Sequence, residues 1–144
     1  MKRLIYAIAI LAFTFQGCSS DDSSNPTTNP TTGFTWKENG GAEIKADSAY
    51  YESAFKTIKA FKDHGSANSK FIEINLTAGT PADYDVTNGN AIALLQGSDL
   101  YVASTGMITI TENASNKMSG NFTSTSSSGT TTALEGTFKS IEIR

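Results

Sequence analysis

KFIEINLT, residues Lys70 to Thr77, is the stretch on which the fold of this chain turns. Ile72, Ile74 and Leu76 fall on one face and Glu73 and Asn75 on the other, with Phe71 just ahead of them. A period of two residues is that of a strand with one face in a core and the other in water. Outward from it, Met107 to Glu112 repeats the pattern with Ile108 and Ile110 against Thr109 and Thr111. Lys117 to Thr125 does so with Met118, Gly120 and Phe122. The chain holds 17 Ser and 19 Thr, and these hydroxyl side chains supply the outward rows.

Between these segments the glycines from Gly65 to Gly136 punctuate β-branched and aromatic stretches, the spacing of an all-β domain. Less distinct strands are expected at Phe34 to Glu38, Ala42 to Ala46, Ser48 to Glu52, Phe55 to Lys62, Ala91 to Leu95 and Leu100 to Ala103. Thr132 to Arg144 closes the chain, and its alternation breaks between Phe138 and Ile141, which predicts a bulge or bend there. Turns are marked at 39–41, 63–65, 88–89, 97–99 and 126–129 by residues that tolerate positive φ. Turns this short predict antiparallel neighbours. Residues 47–58 also fit a helix capped by Asp47 with Tyr50, Tyr51, Ala54, Phe55 and Ile58 as its stripe, but Tyr, Thr and Phe favour a hairpin. About eight or nine such strands must curl into an antiparallel sandwich or an incomplete, lipocalin-like barrel.

The first residues carry an address. Lys2 and Arg3 precede an apolar run, LIYAIAILAFTF at 4–15, after which the chain turns polar at Cys18. Those residues would rise about 18 Å as a helix, short of a hydrocarbon core of about 30 Å, so 1–17 is expected to be a cleaved signal peptide and not a span. Residues 18–33 (CSSDDSSNPTTNPTTG) hold no apolar side chain besides the cysteine and two of the three prolines, and cannot offset the entropy of ordering. They are expected to be a flexible tether, with the β domain at 34–144.

FQGC at 15–18 resembles the lipobox of bacterial lipoproteins. That resemblance implies that Cys18 becomes the first residue and carries acyl chains, enough of them for stable anchoring. Ser19, Ser20, Asp21 and Asp22 resemble the acidic signal that sends some Bacteroidetes lipoproteins to the outer face of the outer membrane. Asp47, Ser48 and Ala49 resemble an acceptor for O-glycosylation in the same group, with Ser48 bearing the glycan. FIEINL at 71–76, Gly79 and Thr80 through Tyr84, MITITE at 107–112, MSGNFT at 118–123 and EGTF at 135–138 together resemble a family of small Bacteroidetes lipoproteins of unknown function, as does the opening Trp36 with Gly40. This likeness implies a lipocalin-like or sandwich fold and an envelope location. It transfers no catalytic residue.

Eleven Lys and Arg against fourteen Asp and Glu give a net charge of −3, which argues against nucleic acid as a partner. One cysteine forms no intramolecular disulfide and no thiolate metal site. His64, alone in an Asp-His-Gly turn, reads as a solvated turn residue, and no metal, cofactor or catalytic set is expected. Asp83, Asp85 and Asp99 are expected in loops as turn formers, with a glycan-acting carboxylate pair the less favoured reading. Tyr50, Tyr51, Tyr84 and Tyr101 are the candidate ligand-binding aromatics. Adjacent Tyr50 and Tyr51 must face opposite sides of a strand.

The functional expectation is a non-enzymatic lipoprotein, membrane-bound through its anchor at the outer membrane and facing outward, that binds a glycan, lipid or protein ligand. The alternative is a structural accessory subunit of an envelope assembly. A Tyr-rimmed groove would favour the first, and a flat apolar patch the second.

Overall fold

The computed structural model describes residues 33–144, so the signal segment, Cys18 and Ser19 to Asp22 lie outside the described residues. Among the described residues eleven strands form one curled mixed sheet, an incomplete barrel, which is one of the two forms expected from the alternation. They are β1 (Gly33–Glu38), β2 (Ile44–Lys45), β3 (Ser48–Glu52), β4 (Thr57–Lys62), β5 (Lys70–Asn75), β6 (Ala82–Asp85), β7 (Ala91–Gln96), β8 (Asp99–Val102), β9 (Thr105–Ala114), β10 (Lys117–Thr125) and β11 (Ala133–Ile143), with a 3-10 turn at Val86–Asn88. The order across the sheet is β6, β9, β10, β11, β3, β4, β5, β7, β8, and β1 pairs with both β11 and β2.

The inner face is built by the alternation itself. Ile72 and Ile74 of β5, Ile58 and Ala60 of β4, Ile92 and Leu94 of β7 and Ile108 and Ile110 of β9 are all buried. Phe34 packs against Trp36, Phe122 and Phe138 at ring-centroid distances of 6.1, 5.6 and 6.0 Å. These rings fill the interior beneath β1, β10 and β11, and burying each contributes about 1.5–3 kcal/mol. The barrel is packed with side chains at this end.

Residues 47–58 form the β3–β4 hairpin, and Lys56 turns the corner at φ 54°. Phe55 would belong to a helical stripe but is 70% exposed, which disposes of the helix. The strand expected from Ala42 shrinks to two residues at Ile44–Lys45, and β4 starts at Thr57, not Phe55. Ser115 and Asn116, at φ 52° and 61°, make the two-residue β9–β10 turn that sequence reading passes over, since neither is Gly.

Residues 82–85 are a strand. Asp83 and Asp85 therefore sit on β6 and Asp99 opens β8 opposite Gln96, none of them in a loop; Asp85 also caps the 3-10 turn. Strand β6 carries no β-branched residue and is recruited by pairing Tyr84 with Ile108 on β9.

The expected bulge falls where the alternation breaks. On β11, Lys139 and Ser140 together oppose Ser119 of β10, and Ser140 adopts φ 50°. Before this kink β11 pairs with β1; after it Glu142 and Ile143 pair with Tyr50 and Tyr51 of β3. That last pairing is parallel, the one exception to the antiparallel expectation. No short turn joins β11 to β3, so turn geometry has no say in their direction.

Candidate functional site

The outer face of the sheet holds an apolar row made by register. Phe61 of β4 opposes Phe71 of β5, Phe71 opposes Leu95 of β7, and Leu95 opposes Leu100 of β8. Each stands out of phase with the buried residues of its own strand, so all four emerge on the outside. Phe61 and Phe71 stack at 4.8 Å, Tyr50 stacks on Phe61 at 6.1 Å, and His64 meets Phe61 edge-on at 5.6 Å. Toward the sheet edge the row opens to solvent: Leu95 is 42% and Leu100 62% exposed, and Val102, which ends the neighbouring row, is 52% exposed.

A charged row runs alongside. Tyr50 opposes Lys59, Lys59 opposes Glu73, Glu73 opposes Ala93 and Ala93 opposes Val102. Lys59 donates to Glu52 at 2.6 Å, and this bond holds the Lys59 ammonium above its ordinary pKa. Arg144 lies 4.3 Å over the Tyr50 ring, a cation–π contact closing the opposite end. The face is thus rimmed by charge along one side and by solvent-facing aliphatics at β8.

The four candidate tyrosines do not gather on a surface. Tyr51, Tyr84 and Tyr101 are buried in the interior. The Tyr84 hydroxyl donates to the Thr80 carbonyl at 2.6 Å, and the Tyr101 hydroxyl shares a 2.8 Å bond with Ser124. Burial pushes the Tyr51 and Tyr101 hydroxyls above the usual tyrosine range. Strand phase sends these rings inward, which leaves Tyr50 alone of the four on the outer face. Ser48 is exposed at the start of β3; the neighbouring Asp47 carboxylate accepts from Lys62 and from the Asp63 amide.

The acidic residues are engaged separately. Asp83 accepts from the Thr109 hydroxyl at 2.7 Å, while Asp85 accepts from the Thr87 hydroxyl and amide, both at 2.7 Å. Among the described residues no three His, Cys, Asp or Glu side chains gather where they could hold a metal ion.

At the hairpin end of β7–β8, a cleft of about 220 Å³ is lined by Leu94, Asp99, Leu100 and Tyr101 on one side and by Gly129 to Thr131 on the other. A wider groove of about 630 Å³ crosses the outer face of β9, β10, β11 and β1. Thr111, Asn121, Thr137 and Thr35 line it, with Glu43 and Lys139 beside them. It offers hydroxyls and an amide to a polar ligand but no exposed ring on which a sugar could stack.

Sequence reading missed the apolar row, although one signal was present. Phe71 is out of phase with Ile72 and Ile74, and Leu95 is out of phase with Leu94. An apolar residue on the wet phase of a strand marks an outer face that is not wholly wet. Comparison with known protein families, with characterised proteins and with solved structures finds no match for this chain.

Proposed function

We propose that this chain is a non-catalytic, lipid-anchored module of a bacterial outer membrane, facing outward, whose β domain docks on a partner protein in an envelope assembly. One observation carries the docking: four large apolar side chains, Phe61, Phe71, Leu95 and Leu100, stand in a single cross-strand row on the outside of the sheet. A contiguous apolar surface rimmed by charge is the mark of a protein contact. The exposure of the row at Leu95 and Leu100 and the inward turn of three tyrosines favour a protein partner over a small ligand. The address rests on the leader at 1–17, on Cys18 as the acylated residue and on Ser19 to Asp22 as the export signal.

Two experiments test the parts separately. Cys18→Ala is expected to move the protein from the membrane to the soluble fraction, and protease added to intact cells is expected to cut the wild type; retention of the variant, or resistance of the wild type, would refute the address. A photoreactive residue at Leu95 is expected to give a discrete protein adduct in cells that the same probe at Thr109 does not. Equal or absent adducts at both positions would refute the docking face.

A further inference from the structure

The geometry points to strand addition at β8: an extended segment of a partner protein pairs with the backbone of Leu100 and Val102. This rests on the docking face proposed above and states the form of its partner. The Ala103 amide donates to the Ile92 carbonyl at 2.9 Å, which sets the phase of the β7–β8 ladder. In an antiparallel pair, alternate residues direct both backbone groups to the same side. Tyr101 and Asp99 therefore turn theirs to β7, and Leu100 and Val102 turn theirs away. β8 has β7 as its one partner in the sheet, and Leu100 and Val102 have no other backbone partner among the described residues. Edge strands are ordinarily blunted by charge, proline or a bulge. On this four-residue strand the charge is confined to Asp99, and the two residues whose backbone faces away from β7 are exposed Leu and Val.

The occupant is a single extended chain and not a second copy of this sheet. The cleft beside Leu100 and Tyr101 is walled on its far side by Gly129, Thr130 and Thr131. That wall is held in place by Asn39, whose amide donates to the Thr130 carbonyl at 3.0 Å and whose carbonyl accepts from the Thr132 and Ala133 amides at 2.8 and 3.0 Å. One strand adds about 4.8 Å to a sheet; a second folded domain would meet the loop. The row Phe61, Phe71, Leu95, Leu100 continues into the added strand, so its outward residues are apolar. Asp99 lines the cleft and has no ion-pair partner among the described residues, so the alternate residues include Lys or Arg. The partner segment alternates apolar residues with polar ones, with a Lys or Arg among them facing Asp99.

The test uses the intact chain and a peptide of alternating Val and Lys, read by amide hydrogen exchange. The Leu100 and Val102 amides are expected to exchange rapidly alone and about tenfold or more slowly with peptide. A peptide N-methylated on its Val residues, and the Leu100→Pro variant, are expected to abolish the slowing. The Leu100 amide has no partner in the native ladder, so proline there is tolerated; the methylated peptide stands independently of that variant's folding. Asp99→Lys is expected to weaken this peptide about tenfold and to favour one alternating Val and Glu. Unchanged exchange with saturating peptide, or equal binding of the methylated peptide, would overturn strand addition. So would slow exchange without peptide accompanied by a doubled mass, which would put a second copy on the edge. A Leu95 photo-adduct that persists in Leu100→Pro leaves the docking face standing and removes strand addition. An adduct absent from wild type and variant alike removes the docking face beneath it.

Discussion

The ring of Phe138 on β11 lies across Gly120 on β10, in the place that a side chain at 120 would occupy. Two residues along, Phe122 covers Gly136 in the same way, so each strand supplies one ring and one glycine to the pair. A Cβ at Gly120 would also press on the Thr109 carbonyl of β9, and one at Gly136 on the Thr35 carbonyl of β1. Backbone cannot give way as a flexible side chain does. Gly120→Ala and Gly136→Ala are each expected to destabilise by about 1–3 kcal/mol in urea unfolding. A stability equal to wild type would show that the rings, not the glycines, set the spacing.

Ser119 closes the bulge. Its hydroxyl oxygen accepts from the Ser140 amide at 3.0 Å and its hydroxyl donates to Glu112 at 3.1 Å, and the residue is nearly buried. The kink leaves that amide without a ladder partner, and the side chain replaces it. Ser119→Ala is expected to cost about 1–2 kcal/mol. The effect should be accompanied by faster exchange of the Ser140 amide, which a loss of packing elsewhere would not produce.

Glu38 accepts from the Trp36 ring N–H at 2.9 Å and from Lys70 at 2.7 and 2.8 Å, tying β1 to β5 across one end of the barrel. Glu38 and Lys70 are each 17% exposed, so the pair is shielded more than an ordinary surface bridge. Glu38→Ala strands the indole N–H and the ammonium together. A loss of about 1–3 kcal/mol is expected, with red-shifted Trp36 fluorescence. An unshifted emission would mean that the indole keeps its surroundings without Glu38.

Stability is expected to fall on both sides of neutrality. The Lys62 and Asp63 bonds hold the Asp47 carboxyl below its ordinary value of 3.8, and the Thr87 hydroxyl and amide do the same for Asp85. A depressed folded pKa contributes fully above 3.8 and is lost as pH falls through that value and the lower folded ones. At the other end, Tyr51 and Tyr101 are raised above 10.0 by burial, so the unfolded chain ionises first and stability drops as pH rises past 10.0. Thermal unfolding from acid to alkaline pH checks both limbs. The doubly substituted Asp47→Asn, Asp85→Asn chain should show a flatter acid limb, and an unchanged one would remove these carboxylates as its cause.

The two kinds of tyrosine should separate cleanly. Tyr101→Phe leaves the Ser124 hydroxyl buried without its 2.8 Å partner and is expected to cost about 1–3 kcal/mol. Tyr50→Phe removes a hydroxyl from the outer face and should change stability by less than about 0.5 kcal/mol. Equal effects would place Tyr50 in the core.

From the chain alone, KFIEINLT and its repeats were enough to define an all-β domain, with sandwich and incomplete barrel both open, because strand phase is a local property: Ile72 and Ile74 share a face wherever the strand lies. The break at Phe138 to Ile141 likewise located the bulge, since an extra residue must show as a slip in alternation. The tertiary structure alone decided the parallel join of β11 to β3, the recruitment of β6, and the inward turn of Tyr84 and Tyr101. Above all, it aligned Phe61, Phe71, Leu95 and Leu100 into one row. Phase tells which residues of a strand point together. Which strands stand side by side, and in what register, is set by how distant segments pack.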